Sequence, residues 1–277
     1  MSMRVATNVA AINAQRTLQI NNRNISSSYE KLSSGSRINR AADDAAGLAI
    51  SEGMKAQIRS ARQAKRNSQD GISLVQTAEG GLAEIGNMIV RLRELGIQAA
   101  SDTVGAGERG FIDAEVQQLK EEMQRISETT KWGTTNLLDG STPVFDFQVG
   151  TFNSDSADRI SFDASGNVAT LDALGLTALD FTDKAGAQNG LEELDAAQIE
   201  VNRVRANLGA IQNRLTNTVS NLGSMEENLS AAKSRISDAD IAEVSSELTR
   251  NQILMQANTA TLAQANQKNT LALQLLG

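Results

Sequence analysis

The chain has 277 residues with no Cys and no His, which excludes thiol and imidazole catalysis, disulfides and the usual zinc, haem and iron–sulfur ligand sets. Six Phe, one Trp and one Tyr are thin material for a globular core, and the Ala-, Leu-, Ile- and Val-rich remainder is the composition of packed helices. A net charge of −7 argues against general nucleic-acid binding, and no run reaches the roughly 20 apolar residues of a membrane span or forms a secretory leader, which by itself points to the cytoplasm.

Residues 1–43 form a first arm. Val5, Val9 and Ile12 make one apolar stripe and Leu18, Ile25, Tyr29 and Leu32 a second, with a register slip between them. The stretch SGSRINRAADDAAGLAI at 34–50 is a turn followed by a helix of small residues, which suit a close approach between helices. Asp43 and Asp44 are expected to cap that helix, accepting its orphan N–H groups and complementing its positive end. A calcium ion would need about six or more oxygens, and no calcium-loop pattern follows. Arg37 and Arg40, just before the cap, are candidates for binding a carboxylate on a neighbouring chain, the alternative being that they are solvated.

Val75, Ala78, Leu82, Ile85, Ile89 and Leu92 then recur at helical spacing, as do Ile112, Val116, Leu119, Met123 and Ile126. Between them, SDTVGAGERG formally matches a dinucleotide-binding glycine pattern. That pattern works where a strand enters; between two helical seams it reads as an antiparallel reversal. Residues 133–190 change character, holding the single proline, Pro143, and an alternation of Phe145, Phe147 and Val149 that predicts a hairpin or a few strands. From 191 to 237, steps of three and four run from Leu194 through Leu208, Ile211, Leu215 and Leu222 to Ile236 with only Thr218 polar. This heptad seam predicts a helix of roughly 60–65 Å that needs partners along its length.

Residues 238–277 are a second arm. Ile241, Leu248, Met255 and Leu262 share one heptad position, and Val244, Asn251, Asn258 and Ala265 the other. Polar Asn in a seam weakens an isolated coiled coil while fixing its register. The first arm is basic through Arg16, Arg23, Lys31, Arg37 and Arg40, and the second starts acidic with Asp238, Asp240, Glu243 and Glu247, so charge favours their pairing by about 0–1 kcal/mol per exposed pair. The expected fold is mainly α: a long antiparallel helical coiled-coil bundle with a small β-hairpin region, in which the N- and C-terminal helices pair as an inner coiled coil. Its domains are 1–43 with 238–277, and 44–237 with an insert at about 133–190. No catalytic, cofactor or metal site is expected.

Two stretches are specific. LSSGSRINRAADDAAGLAIS (32–51) resembles the N-terminal signature of bacterial flagellin, and SRISDADIAEVSSELTRNQILMQANTATLAQANQ (234–267) resembles its C-terminal one; the similarity covers about 1–140 and 190–277. The resemblance implies a non-enzymatic structural subunit, exported unfolded through the flagellar type III apparatus, that polymerises into the extracellular filament for motility. Implied partners are further copies of the chain, an export chaperone on the C-terminal arm, the filament cap and the hook–filament junction proteins. VRLRELGIQAA (90–100) resembles the stretch many flagellins present to the Toll-like receptor that senses them, with Arg91, Leu95 and Glu115 at the contact positions. The alternative reading of Arg91, Glu94 and Glu115 is the solvated face of two helices. The rival identities are a hook–filament junction protein, which shares the terminal pattern, and an intracellular coiled-coil adaptor.

Overall fold

The computed structural model describes residues 7–141 and 144–274, with side chains through 267; Val5 and Pro143 lie outside the described residues. In chain order the elements are α1 (Val9–Ser34), α2 (Ala45–Ala99), α3 (Ala106–Thr129), β1 (Lys131–Trp132), β2 (Thr135–Asn136), β3 (Val144–Gln148), β4 (Arg159–Asp163), α4 (Lys184–Ser237) and α5 (Ile241–Gln274). The chain forms two compact units, one from Ile58 to Glu226 and one made of the residues up to Gln57 with those from Glu227 onward. These divisions fall deeper into α2 and α4 than the expected 43/44 and 237/238. Ile38 is buried over the start of α2, where a Cβ on Gly47 would stand 2.8 Å from the Ile38 Cδ1.

In the unit from Ile58 to Glu226, the three seams meet in one core. Leu82, Ile85, Ile89 and Leu92 of α2, Val116 of α3 and Leu208 and Leu215 of α4 are all buried there, because steps of three and four keep them on one helix face. Leu119 and Ile211 pack against it half-buried. Beyond Leu215 the core narrows, and Leu222 buries only against Ala61 and Ala64. The glycine-rich reversal is a pair of helix ends. Glu108 accepts from the Gly105 N–H at 2.9 Å at the start of α3, while Arg109 donates to the Ala99 and Ser101 carbonyls at 2.8 and 2.9 Å at the end of α2.

The insert builds two antiparallel hairpins. The predicted alternation is present in β3, which pairs with β4 so that Phe145 faces Phe162 and Phe147 faces Ile160; the first two rings lie 6.0 Å apart between centroids. The β1–β2 pair turns at Gly133, whose φ of 61° suits glycine, and is too short to leave an alternation in the sequence. After β4 the chain returns along α3 as a strap held by a polar ladder. Asp113 accepts from the Phe181 N–H at 3.0 Å, Gln124 accepts from the Leu171 N–H at 3.1 Å, and Lys120 donates to the Thr177 and Leu179 carbonyls at 2.9 Å each. The spacing of these residues puts them on one face of α3. Lys120 is 8 % exposed, so its charge is met by the strap's backbone.

Candidate assembly surfaces of the terminal arms

The second compact unit contains α1, α5 and the joint between the arms and the long helices. The joint is a backbone staple. Ser36 and Asp238 form an antiparallel bridge, the Arg37 N–H donates to the Ser237 carbonyl at 2.7 Å, and the Ala239 N–H donates to the Gly35 carbonyl at 2.9 Å. Gly35 makes this possible by closing α1 with a φ of 68°, a left-handed turn that costs glycine little. Arg37 then reaches the Ile236 carbonyl at 2.7 Å, and Arg40 makes a two-pronged contact with Glu30 at 3.0 and 2.8 Å. Both arginines thus have partners in their own chain.

The two aspartates divide their work. Asp44 caps α2, accepting from the Gly47 N–H at 2.9 Å. Asp43 instead turns back to accept from the N–H groups of Asn39 and Arg40 at 3.1 and 3.0 Å. Those two hydrogen bonds, aided by the nearby Lys31 and Arg40 charges, hold its carboxyl below the usual 3.8. Of the small residues after them, Ala45, Ala46 and Ala49 are exposed, so this segment is no close crossing of helices; Gly47 alone is buried, under Ile38 and Asp44.

α1 and α5 pair along a seam of mixed character. On α1 the inward positions are Ala11, Ala14, Leu18, Asn21, Ile25, Ser28 and Leu32, an unbroken alternation of three and four. There is no register slip. Val9, Ile12 and Tyr29 are 62, 56 and 53 % exposed and lie off the seam; the true repeat was hidden because half of its positions are small or polar. On α5, Val244 is buried and Leu248, Asn251, Met255, Asn258, Leu262 and Ala265 are half-buried, whereas Ile241 is 51 % exposed. Asn21 is 6 % exposed and its Nδ2 has no hydrogen-bond partner among the described residues. Burying such a donor unpaired costs about 1–3 kcal/mol, which makes this a weak point of the pair.

Among the described residues no ion pair links α1 to α5; direct polar links include Asn8 to the Ala265 carbonyl at 3.0 Å and Gln252 to the Tyr29 hydroxyl at 3.2 Å. Arg16 and Arg23 stand a heptad apart on the side of α1 opposite the seam and are exposed; Glu243 and Glu247 are exposed on α5, Glu247 lining a cleft with Lys31 of α1. Apolar side chains share this outer surface: Ile12 and Ile20 on α1, Ile253 and Leu254 on α5. Among the described residues, no helix is long and apolar enough to cross a membrane.

In the other unit, Arg91 is 50 % and Glu115 46 % exposed, and they bond each other at 2.8 Å across α2 and α3. Leu95 is only 3 % exposed and belongs to the core, so its side chain is unavailable at the surface.

Comparison with known proteins places these features in a family. Residues 5–142 match the bacterial flagellin N-terminal helical region and residues 191–276 the bacterial flagellin C-terminal helical region. The chain is 47 % identical to a flagellin of Halalkalibacterium halodurans over 97 % of its own length and 98 % of the relative's. It is 43 % identical to a flagellin of Bacillus subtilis over 99 % of its own length and all of the relative's. Among solved structures it is similar to Bacillus cereus flagellin, with a TM-score of 0.51 and 30 % identity over 61 % of this chain and 94 % of that one. Two terminal helical regions, matched in order around a short hairpin insert, make this chain a member of the bacterial flagellin family.

Proposed function

We propose that the chain is the repeating structural subunit of an extracellular flagellar filament, assembled through the outer faces of its terminal arms. The observation that carries this is what α1 and α5 leave open: Ile12, Ile20, Ile253 and Leu254 exposed, with Arg16 and Arg23, which have no ion-pair partner among the described residues, on one helix and exposed Glu243 and Glu247 on the other. Burying one such apolar side chain contributes about 1.5–3 kcal/mol, against an association cost of roughly 4–15 kcal/mol. Several must therefore be covered together, which favours addition of a copy at a site already flanked by others. Basic and acidic faces on different helices of one chain suit a head-to-tail contact that does not close on itself, the geometry of a filament.

The test is charge reversal with rescue. Arg16→Glu with Arg23→Glu slows salt-induced assembly of purified chain, seen by electron microscopy, and adding Glu243→Arg with Glu247→Arg restores it. No filament from the unaltered chain sinks the filament reading itself; unchanged assembly in all variants removes the outer charges from it.

On the same reading, the export chaperone covers α5 before assembly, the chain leaves the cell unfolded, and the filament cap and junction proteins meet the arms. The exposed Arg91–Glu115 pair, without Leu95, supports a second role as a ligand of the Toll-like receptor that senses flagellins. Arg91→Ala monomer that signals as strongly as unaltered monomer in a receptor reporter line refutes that role.

A further inference from the structure

We infer that Asn189–Gly190 is a self-modification site gated by folding, which marks each chain by the time it spends unfolded. Gly190 sits in the second turn of α4 and is buried, whereas Asn189 beside it is exposed. The glycine is demanded by packing. A Cβ at Gly190 would stand 2.5 Å from Leu179 Cδ1 and 2.7 Å from Phe181 Cε1, and one at Gly186, a turn earlier, 2.7 Å from the Asp180 carbonyl oxygen. Phe181 is fully buried and also presses on Gly96 of α2, where a Cβ would lie 3.1 Å from its Cζ. The strap thus plugs its ring between two helices at glycines, and the residue before one of those glycines is an asparagine.

That pairing has a chemical consequence. With no side chain on Gly190 to hinder it, the Gly190 backbone nitrogen can attack the Asn189 Cγ. The N–Cγ bond forms, the Cγ–Nδ2 bond breaks, ammonia leaves and a five-membered succinimide remains. Water opens the ring at either carbonyl, giving Asp or isoAsp with no net oxidation. In the folded chain the attack is blocked, because helix α4 commits the Gly190 N–H to the Gly186 carbonyl and fixes Asn189 in helical geometry. In an unfolded chain both restraints are gone. An isoAsp product carries one extra main-chain atom immediately before Gly190, so the glycine no longer falls where Phe181 requires it. Chains held unfolded too long would lose this plug and, with it, the strap.

The experiment ages the full chain in buffer near pH 8, with and without urea, and maps the 184–203 region by mass spectrometry. Modification at Asn189 should run at least about tenfold faster in urea, since attack by a helical backbone nitrogen must wait for local opening. Aged unaltered chain, returned to buffer, should show faster amide exchange over 179–191 than fresh chain, whereas Asn189→Gln aged in parallel should match its own fresh sample. Equal rates with and without urea overturn the gating, and native-like exchange in isoAsp chains overturns the consequence. Neither readout depends on filament formation, so this inference can fail while the filament reading stands, and the reverse.

Discussion

Replacing Asn21 by Leu should strengthen the arm pair while leaving the rest of the chain alone. Asn21 is 94 % removed from solvent in the α1–α5 seam, between Leu18 and Ile25, and its Nδ2 is without a partner among the described residues. Leucine deletes that orphan donor, worth about 1–3 kcal/mol, and adds apolar burial of about 1.5–3 kcal/mol. Crowding beside the flanking seam residues subtracts about 1–3 kcal/mol if the side chain is too large. The net expectation is a gain of roughly 2 kcal/mol, near thirtyfold in the arm-pairing equilibrium. Amide exchange in the full-length monomer reads it directly: residues 14–28 should slow by at least tenfold, with the α2–α4 core unchanged. Asn21→Ala is the control, removing the orphan without adding bulk, and should slow exchange less. If Asn21→Leu leaves exchange unchanged or speeds it, the buried amide is not the weak point and the argument about the arms is wrong.

Other outcomes follow from single contacts. Lys120→Met removes the ammonium that holds the Thr177 and Leu179 carbonyls; at about 1.5–3 kcal/mol for a hydrogen bond to a charged group, limited proteolysis should cut within 171–181 at lower protease concentrations. Gly190→Ala meets Leu179 and Phe181 and should cost about 1–3 kcal/mol in urea denaturation. Gly209→Ala, in the same helix with nothing near its would-be Cβ, should stabilise by about 0.5–1 kcal/mol. The Asp43 carboxyl is held below 3.8 when folded, so the stability it lends the joint is present above that ordinary value and is lost as pH falls through its lower folded value. Asp43→Asn should therefore flatten the acid limb of the joint's exchange profile, and an unaltered acid limb would count against the turn assigned to this residue.

The bundle was legible because its seams are made of large aliphatics: Leu82, Ile85, Ile89, Leu92, Val116, Leu208 and Leu215 repeat at helical spacing and are buried. The arm seam was only half legible. Leu18, Ile25 and Leu32 are inward, but Ala11, Ala14, Asn21 and Ser28 carry the alternate positions and leave no apolar trace, so Ile12 and Tyr29 looked like members of a stripe they do not join. Charge was misleading in a different way. The opposite signs of the two arms suggested pairing within the chain, yet heptad position places Arg16 and Arg23 on the far side of α1 from the seam, out of reach of α5. Arg37 and Arg40 were read as candidates for a carboxylate on a neighbouring chain; within the chain Arg37 reaches the Ile236 carbonyl, because the joint brings 35–37 against 236–239, and Arg40 pairs with Glu30 on its own arm. No periodic signal encodes the Arg37 contact, whose partners lie 199 positions apart. Lys120 escaped notice for the same reason, since its partners are backbone carbonyls of a strap with no sequence pattern.

On the proposed function, the outer faces of α1 and α5 are covered by other copies in the filament. Amide exchange and electron microscopy on the same purified full-length sample, before and after salt-induced assembly, read this burial. Filaments should form whose α1 and α5 amides are strongly protected relative to the monomer, with little change along the Leu82–Leu92 core. Filaments in which the arms exchange as fast as they do in the monomer would contradict it.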